Sequence, residues 1–241
     1  MGSRITLKDL QAYEAKVSAG LVGQYKGAAI HTAGPLTAGP SLLLALEELA
    51  TAGAGAEPDA RYFEKIAEAL HKSYRHRLQV LGEGQLTDSN TTHICVADSE
   101  GNVVSHTQTI MSAFGSRIML PESGVLMNNG MMWFDPRPGG PNSVVGGRHP
   151  LCNMSPTLVV RDDSVTALGA CGGRKIFPAV FQLISLLEDF GLSVDDAVHH
   201  PRIDVSGTEM VTIMDSMPEA VIAVLQDRFP ETRVRVNGVS P

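Results

Sequence analysis

Residues 87–109 read TDSNTTHICVADSEGNVVSHTQT. Two strand-like runs flank the turn-forming residues Glu100, Gly101 and Asn102, which predicts an antiparallel hairpin. Hydroxyl side chains crowd both runs, and Thr91 stands where the first run begins, directly after a polar loop. If the hairpin turns at Gly101, we expect Thr91 and Thr109 to lie near the same end of it.

A threonine directly after an exposed loop can become an activated nucleophile. If the bond between Asn90 and Thr91 is cleaved, Thr91 gains a free α-amino group beside its own hydroxyl. The ordinary pKa of such an amine is about 8, so it can act as a general base at neutral pH and no histidine is required. A threonine at the start of a strand also follows from β-propensity alone, so spacing leaves both interpretations open.

The order of predicted elements indicates the α+β class. Helical patterns come first, then hairpins, then helices again. The predicted helices are one capped by Thr6, one capped by Ser41 and ending at Gly53, one from Pro58 to about Leu81, one ending at Gly191, a short one before Pro201, and residues 218–229. The predicted strands form hairpins in 20–34, 93–109 and 157–170, with a last strand in 233–239. We interpret the basic run HKSYRHR, residues 71–77, as a solvated helix face.

Composition and charge exclude several classes of protein. The formal net charge of -7 disfavours nucleic acid as a partner, because phosphate binding needs a basic face. The sequence contains no run of 18 or more apolar residues, so it predicts no membrane-spanning helix. The three cysteines are scattered, and His199 and His200 diverge on a helix, so we expect no disulfide framework, no bound metal and no cofactor.

The segment TTHICVADSEGNVVSHTQTIMSAFGS, residues 91–116, resembles the signature of the γ-glutamyltranspeptidase family of N-terminal-nucleophile hydrolases. The resemblance continues, in family order, through ESGVLMNNGMMWFDP, GGRHPLCNMSPTLVVRD, GACGGRKI and DDAVHHPRID. Upstream, ITLKDLQAY and AGPLTAGPSLLLALEEL resemble the end of the family's large subunit. The resemblance therefore covers nearly the whole chain.

The resemblance implies a four-layer αββα sandwich and a precursor that cleaves itself. Thr91 would be both the nucleophile and, with Asn90, the processing site. Residues 1–90 would be the C-terminal part of the large-subunit region with the processing linker, and 91–241 the small-subunit region. The family's chains are longer on both sides, so the resemblance implies a fold that is incomplete at both ends, with a linker before Thr91 that is shorter than expected.

Three further residues acquire catalytic roles from the resemblance. Thr109, in the family's T-x-T, would hydrogen-bond Thr91 and hold its rotamer. Gly172 and Gly173 correspond to the family's oxyanion-hole glycines. Consecutive glycines at the start of a helix can present backbone N–H groups to an anion, although such a pair is often only a tight turn.

The departures from the family lie where the substrate is bound. Met111 stands where an asparagine is expected, and Gly130 and Trp133 replace polar or acidic residues. Cys152 and Asn153 replace two serines that hold a carboxylate in the family. We therefore expect a reshaped, more apolar acyl pocket, although Met111 and Trp133 could also be ordinary core residues.

The function implied by the resemblance is that of a threonine amidohydrolase or acyltransferase. It would cleave a γ-glutamyl or related small-molecule acyl amide through an acyl-enzyme on Thr91, with water or an amine as acceptor. The alternatives are an amidase or cephalosporin-acylase-like relative with a non-glutamyl substrate, and a non-catalytic relative or fragment. We expect a large and small subunit heterodimer after self-cleavage, which could dimerise further, in the cytoplasm or the periplasm.

Overall fold

The computed structural model describes residues 5–84 and 90–236. Helices and strands alternate in blocks along this part of the chain, as the α+β prediction requires. The helices are α1 Leu7–Gln11, α2 Gly39–Ala52, α3 Ala60–Gln79, α4 Ile176–Phe190, α5 Val194–His199 and α6 Glu219–Arg228. The strands are β1 Leu21–Tyr25, β2 Ala28–Thr32, β3 Asn90–Ala97, β4 Val103–Met111, β5 Thr157–Val160, β6 Val165–Leu168, β7 Ile203–Asp204, β8 Val211–Met214 and β9 Thr232–Arg235.

An antiparallel sheet in the order β1-β2-β5-β6 forms the centre of the fold. Its first hairpin turns at Lys26 and Gly27, both with positive φ (51° and 84°), as the predicted Lys-Gly turn requires. Since β2 pairs with β5, residues from both sides of Asn90 belong to one sheet. They also share one core, in which Ile30 packs with residues of α2, α3 and α4.

The helix boundaries follow local capping chemistry. The predicted cap at Thr6 is confirmed: its side chain accepts from the N–H of Asp9, whose carboxylate accepts from the Thr6 N–H. The predicted cap at Ser41 is wrong, because α2 begins at Gly39 and Ser41 is buried in its first turn. The N-cap is Ala38, which has no side-chain oxygen, and the Thr37 hydroxyl just before it accepts from the N–H of Gly39 at 3.0 Å.

The hairpin of β3 and β4 lies against the end of the central sheet. The hydroxyl of Ser105 donates to the carbonyl of Leu168 at 2.8 Å and accepts from the N–H of Thr157 at 3.0 Å. The opposite face of the hairpin is open in the part of the chain that the structure describes. There, Ile94, Val96 and Val104 are 52%, 55% and 53% exposed.

Two short strands escaped the sequence-based prediction. Strand β7 pairs antiparallel with β8, and β8 pairs in parallel with β9. With two and four residues, β7 and β8 are too short for an alternating pattern to stand out. The predicted hairpin of residues 157–170 and the helix ends at Gly53 and Gly191 are confirmed. The last strand is Thr232–Arg235, and residues 237–239 of the predicted strand lie outside the described residues.

Candidate active site

A β-bulge shapes the hairpin at Thr91. Asn90 lies opposite Met111 and Thr91 lies opposite Thr109, so Ile110 is an extra residue on β4. Met111 is completely buried and has a φ of 77°, a left-handed conformation that side chains rarely adopt. The predicted proximity of Thr91 and Thr109 is confirmed, and the bulge places a strained residue directly beside them.

The hydroxyl of Thr109 has two defined partners. It donates to the carbonyl oxygen of Asn90 at 2.8 Å and accepts from the N–H of Met111 at 2.9 Å. A hydroxyl has one proton, and the Met111 N–H can only donate, so the Thr109 proton points to the Asn90 carbonyl. The expected bond from Thr109 to Thr91 stays a prediction.

His93 links the hairpin to the segment that follows β6. Its Nδ1 lies 2.8 Å from the Thr107 hydroxyl, and its Nε2 lies 3.2 Å from Sγ of Cys95. A Cβ on Gly169 would come within 2.0 Å of the His93 ring, so only glycine permits this approach. Burial, with a smaller contribution from His106, lowers the pKa of His93 and keeps the ring neutral at neutral pH.

Gly172 and Gly173 follow on the same connection, three and four residues after Gly169. Both have positive φ, 110° and 61°, which glycine adopts without strain. Gly173 begins a short 3-10 turn, Gly173–Lys175, that leads into α4. The two glycines are thus on a segment that contacts the hairpin, and their bond to a substrate oxyanion stays a prediction.

The residues predicted to bind substrate are only partly gathered in one place. A narrow pocket, here called the Arg174 pocket, brings Trp133 and Asn153 together. Gly130 packs on the Trp133 ring, since a Cβ there would lie 2.9 Å from it. Neither Met111, which is completely buried, nor Cys152, whose thiol has a pKa raised by burial, lines this pocket. The lining residues are Glu83, Gly84, Met132, Trp133, Leu151, Asn153 and Arg174.

Three buried charged residues beside this pocket were missed by sequence reasoning. Glu83 accepts from Nε of Arg77 at 3.0 Å, and its other oxygen lies 3.4 Å from Nε of Arg174. The interpretation of residues 71–77 as a solvated face is wrong for His71, Ser73, Tyr74 and Arg77, which are buried, and Arg77 is completely so. A signal was present, because Arg77 continues the apolar stripe of α3 three residues after Tyr74.

The described residues, 5–84 and 90–236, contain neither a membrane-spanning helix nor a metal-binding cluster. No helix there is long and apolar enough to cross a membrane. No group of three or more His, Cys, Asp or Glu residues in those ranges could hold a metal ion.

Comparison with known sequences gives one family. The sequence model of the gamma-glutamyltranspeptidase family matches residues 1–89 and 83–239. The glutathione hydrolase proenzyme of Bacillus subtilis subsp. natto is 28% identical over 99% of this chain and 51% of its own length. The acylase ACY 1 proenzyme of Pseudomonas sp. strain SE83 is 38% identical over 66% of this chain and 31% of its own.

The alignments also show a difference in length. The one with the Bacillus subtilis subsp. natto relative runs over 299 positions, well beyond the 241 residues of this chain, so gaps interrupt it. The two family matches overlap at residues 83–89, just before Asn90 and Thr91.

A solved structure gives the same fold. Cephalosporin acylase from Bacillus halodurans superposes with a TM-score of 0.83 at 20% identity, over 97% of this chain and 49% of that one. The chain thus has an N-terminal-nucleophile hydrolase fold and spans about half the length of the curated relatives it matches. With its hairpin, glycine pair and family match taken together, the chain belongs to the gamma-glutamyltranspeptidase family.

Proposed function

We propose that the chain is the catalytic part of a self-processing amidohydrolase or acyltransferase with Thr91 as nucleophile. Cleavage after Asn90 would divide it into residues 1–90 and 91–241, which correspond to the end of a large subunit and the start of a small one. The relatives named as proenzymes support a processed precursor.

The bond from Thr109 to the Asn90 carbonyl carries this proposal. In self-cleavage the Thr91 hydroxyl attacks the carbonyl carbon of Asn90, and the carbonyl oxygen becomes an oxyanion. The Thr109 hydroxyl, 2.8 Å away, is already aimed at that oxygen and would stabilise the developing charge. The C–N bond then breaks as the nitrogen takes up the proton lost by the Thr91 hydroxyl, which leaves an ester on Oγ1 and a free α-amino group on Thr91. Water hydrolyses the ester, which gives a carboxyl group on Asn90 and restores the Thr91 hydroxyl.

The same hydroxyl would act again in turnover. The α-amino group of Thr91 accepts the proton of its own Oγ1 as this attacks the carbonyl carbon of an acyl amide. The N–H groups of Gly172 and Gly173 would hold the oxyanion, and the amine leaves with a proton. Water or a second amine then releases the acyl group from Thr91. Once Asn90 ends in a carboxylate that is no longer bonded to Thr91, the Thr109 hydroxyl would be available to orient Thr91.

Mass spectrometry of the protein expressed from its full coding sequence tests the proposal. Cleavage should place a new N-terminus at Thr91, and Thr91→Ala should leave the chain intact. Absence of cleavage in the unsubstituted protein would favour the remaining alternative, a non-catalytic relative that keeps the fold.

A second candidate differs in substrate rather than in reaction. An amidase or acylase acting on a non-glutamyl amide is favoured by Trp133, which replaces a polar residue of the family and lines the Arg174 pocket. Turnover of a chromogenic γ-glutamyl anilide compared with simple N-acyl anilides separates the candidates. A strong preference for the γ-glutamyl compound would exclude the acylase.

A further inference from the structure

A second cavity lies along one face of α3. Residues of α3 from Lys65 to Arg75 line it, together with the C-terminal part of α2, Glu209, and residues 228–231 between α6 and β9. Its volume is about 700 Å³, within the range of cavities that take drug-sized ligands. We call this cavity the α3 groove. No residue of β3 or β4 lines it, so it is separate from the candidate active site.

Four basic and four acidic side chains line the α3 groove, and half of them pair with each other. Lys72 contacts Glu48 at 2.6 Å, and Arg228 contacts Glu68 at 2.9 Å. These two ion pairs join α3 to α2 on one side and to α6 on the other. They account for two charges of each sign.

The charges that remain in the groove are also of both signs. Lys65 donates to the carbonyl of Gly53, at the end of α2, where a cation suits the helix dipole. The side chains of Arg75, Glu209 and Glu231 have no hydrogen bond or ion pair with any residue in the ranges 5–84 and 90–236. The groove thus offers one uncommitted guanidinium and two uncommitted carboxylates.

His71 is a buried polar side chain close to these charges. It is 8% exposed, and its Nε2 has no hydrogen-bond partner among the described residues. Burial lowers the pKa of His71; the charge of Glu209 opposes this effect, and that of Arg75 adds to it. Both charges therefore act on one neutral ring. A buried nitrogen without a partner is costly, which favours a polar occupant of the groove.

Charge complementarity selects the kind of occupant. A simple anion would be attracted by Arg75 but repelled by Glu209 and Glu231, and a simple cation would meet the reverse. A ligand that carries a cation and an anion at separate ends can satisfy both signs at once. Phe229 and Pro230, which also line the groove, provide apolar surface for the uncharged part of such a ligand.

We propose that the α3 groove binds a short peptide, of about two to four residues, in its zwitterionic form. The terminal carboxylate pairs with Arg75, and the terminal ammonium pairs with Glu209 and Glu231. Arg75 and the two glutamates belong to different elements, so charges at the two ends of a short chain suit them better than charges on one carbon atom. Both termini of a peptide are ionised at neutral pH.

Isothermal titration calorimetry with trialanine tests the proposal without catalysis, on the protein expressed from its full coding sequence. N-acetyl-trialanine lacks the ammonium, and trialanine amide lacks the carboxylate. We expect trialanine to bind about 10- to 100-fold more tightly than either blocked peptide, the effect of one charge-assisted hydrogen bond.

Substitutions in the groove assign each preference to its residue. Arg75→Met should bring the affinities for trialanine and trialanine amide to within about threefold, and should keep the preference over N-acetyl-trialanine. The double substitution Glu209→Gln and Glu231→Gln should have the converse effect. Arg61→Met is the matched control, since it removes an exposed arginine of α3 that lies outside the groove, and it should change neither preference.

Three outcomes would overturn the proposal: no saturable binding of trialanine, equal binding of a blocked peptide, or a preference for the free carboxylate that survives Arg75→Met. Arg75 and both glutamates are exposed, so the substituted proteins should fold. If one of them does not, the other still locates the site, because each removes one preference. These titrations do not depend on Thr91, and failure of the proposed function is seen separately, as an intact Asn90–Thr91 bond.

Discussion

The hydroxyl of Thr109 donates to the carbonyl oxygen of Asn90 at 2.8 Å. This bond crosses the bulge, at which Asn90 lies opposite Met111 and Thr91 lies opposite Thr109. This contact involves the carbonyl that Thr91 would attack. Because the Met111 N–H occupies a lone pair of the same hydroxyl, the direction of the bond is determined. Met111, which is buried and left-handed, therefore helps to orient the Thr109 hydroxyl toward the Asn90–Thr91 peptide bond.

Thr109→Val should slow self-cleavage about 10²- to 10³-fold, the usual effect of removing one oxyanion donor. Thr109→Ser keeps the donor and should cleave at a rate much nearer that of the unsubstituted protein. The rate is measured by mass spectrometry of samples taken at intervals after purification.

Thr51→Val is the matched control for Thr109. It removes the same kind of bond, from a threonine hydroxyl to the Glu47 carbonyl at 3.0 Å, on an exposed helix end. Its cleavage rate should not change. If Thr109→Val cleaves as fast as this control, the attack on the Asn90 carbonyl does not depend on the Thr109 hydroxyl.

Gly169→Ala should destabilise the protein, because the new Cβ would lie 2.0 Å from the His93 ring. The ring would have to move and lose its contacts with Thr107 and Cys95, at a cost of about 1–3 kcal/mol or more in the free energy of unfolding. Gly146→Ala is the control, since nothing lies within 4 Å of the Cβ it would add. Urea unfolding measures both.

A double-mutant cycle identifies the cause of that loss. If the clash is with His93, Gly169→Ala should cost much less when His93 is already alanine. An unchanged cost in the His93→Ala background would show that another contact is responsible.

Local patterns predicted the elements that carry the candidate site, and tertiary contacts determined the rest. The hairpin and the pairing of Thr91 with Thr109 follow from the turn at Gly101 and the period of two in a strand. The bulge at Ile110 does not, because it inserts a residue that the alternating pattern cannot show.

The buried charges were unpredictable for another reason. Arg77 belongs to a basic run that composition describes as solvated, and its burial depends on Glu83 and on the carbonyls of Thr37 and Cys152. Two of these partners are distant in sequence. No local rule could assemble that set, although the apolar stripe of α3 pointed inward at Arg77.

Glu83→Gln should be strongly destabilising, because it leaves two buried arginines without their carboxylate. The expected loss is about 3–5 kcal/mol in the free energy of unfolding. Glu68→Gln is matched to it, since Glu68 pairs with Arg228 at 2.9 Å while both side chains are more than half exposed. That control should cost about 1 kcal/mol or less, and equal losses would refute a special role for the buried cluster.

The two cleavage products should stay together without a covalent link. Strand β2 lies before Asn90 and pairs with β5, which lies after it, and residues of both pieces share one core. Size-exclusion chromatography of the cleaved protein under native conditions should give one peak containing both pieces. Separate peaks would show that this shared sheet does not survive cleavage.

Acidification should destabilise the protein through His93. Burial first, and then the charge of His106, lower the pKa of His93 in the folded state below its ordinary value of about 6.5. The unfolded chain therefore binds more protons than the folded one below that pH. The contribution of His93 to stability is fully present above about pH 7 and is lost as the pH falls through about 6.5 toward its folded pKa.

The free energy of unfolding of the unsubstituted protein should thus fall more steeply between pH 7 and 5 than that of His93→Gln. Burial also lowers the pKa of His71, but that residue is present in both proteins, so the difference between the two curves reports His93 together with its interaction with His106. Parallel curves would show that His93 takes up its proton equally well in the folded and unfolded states.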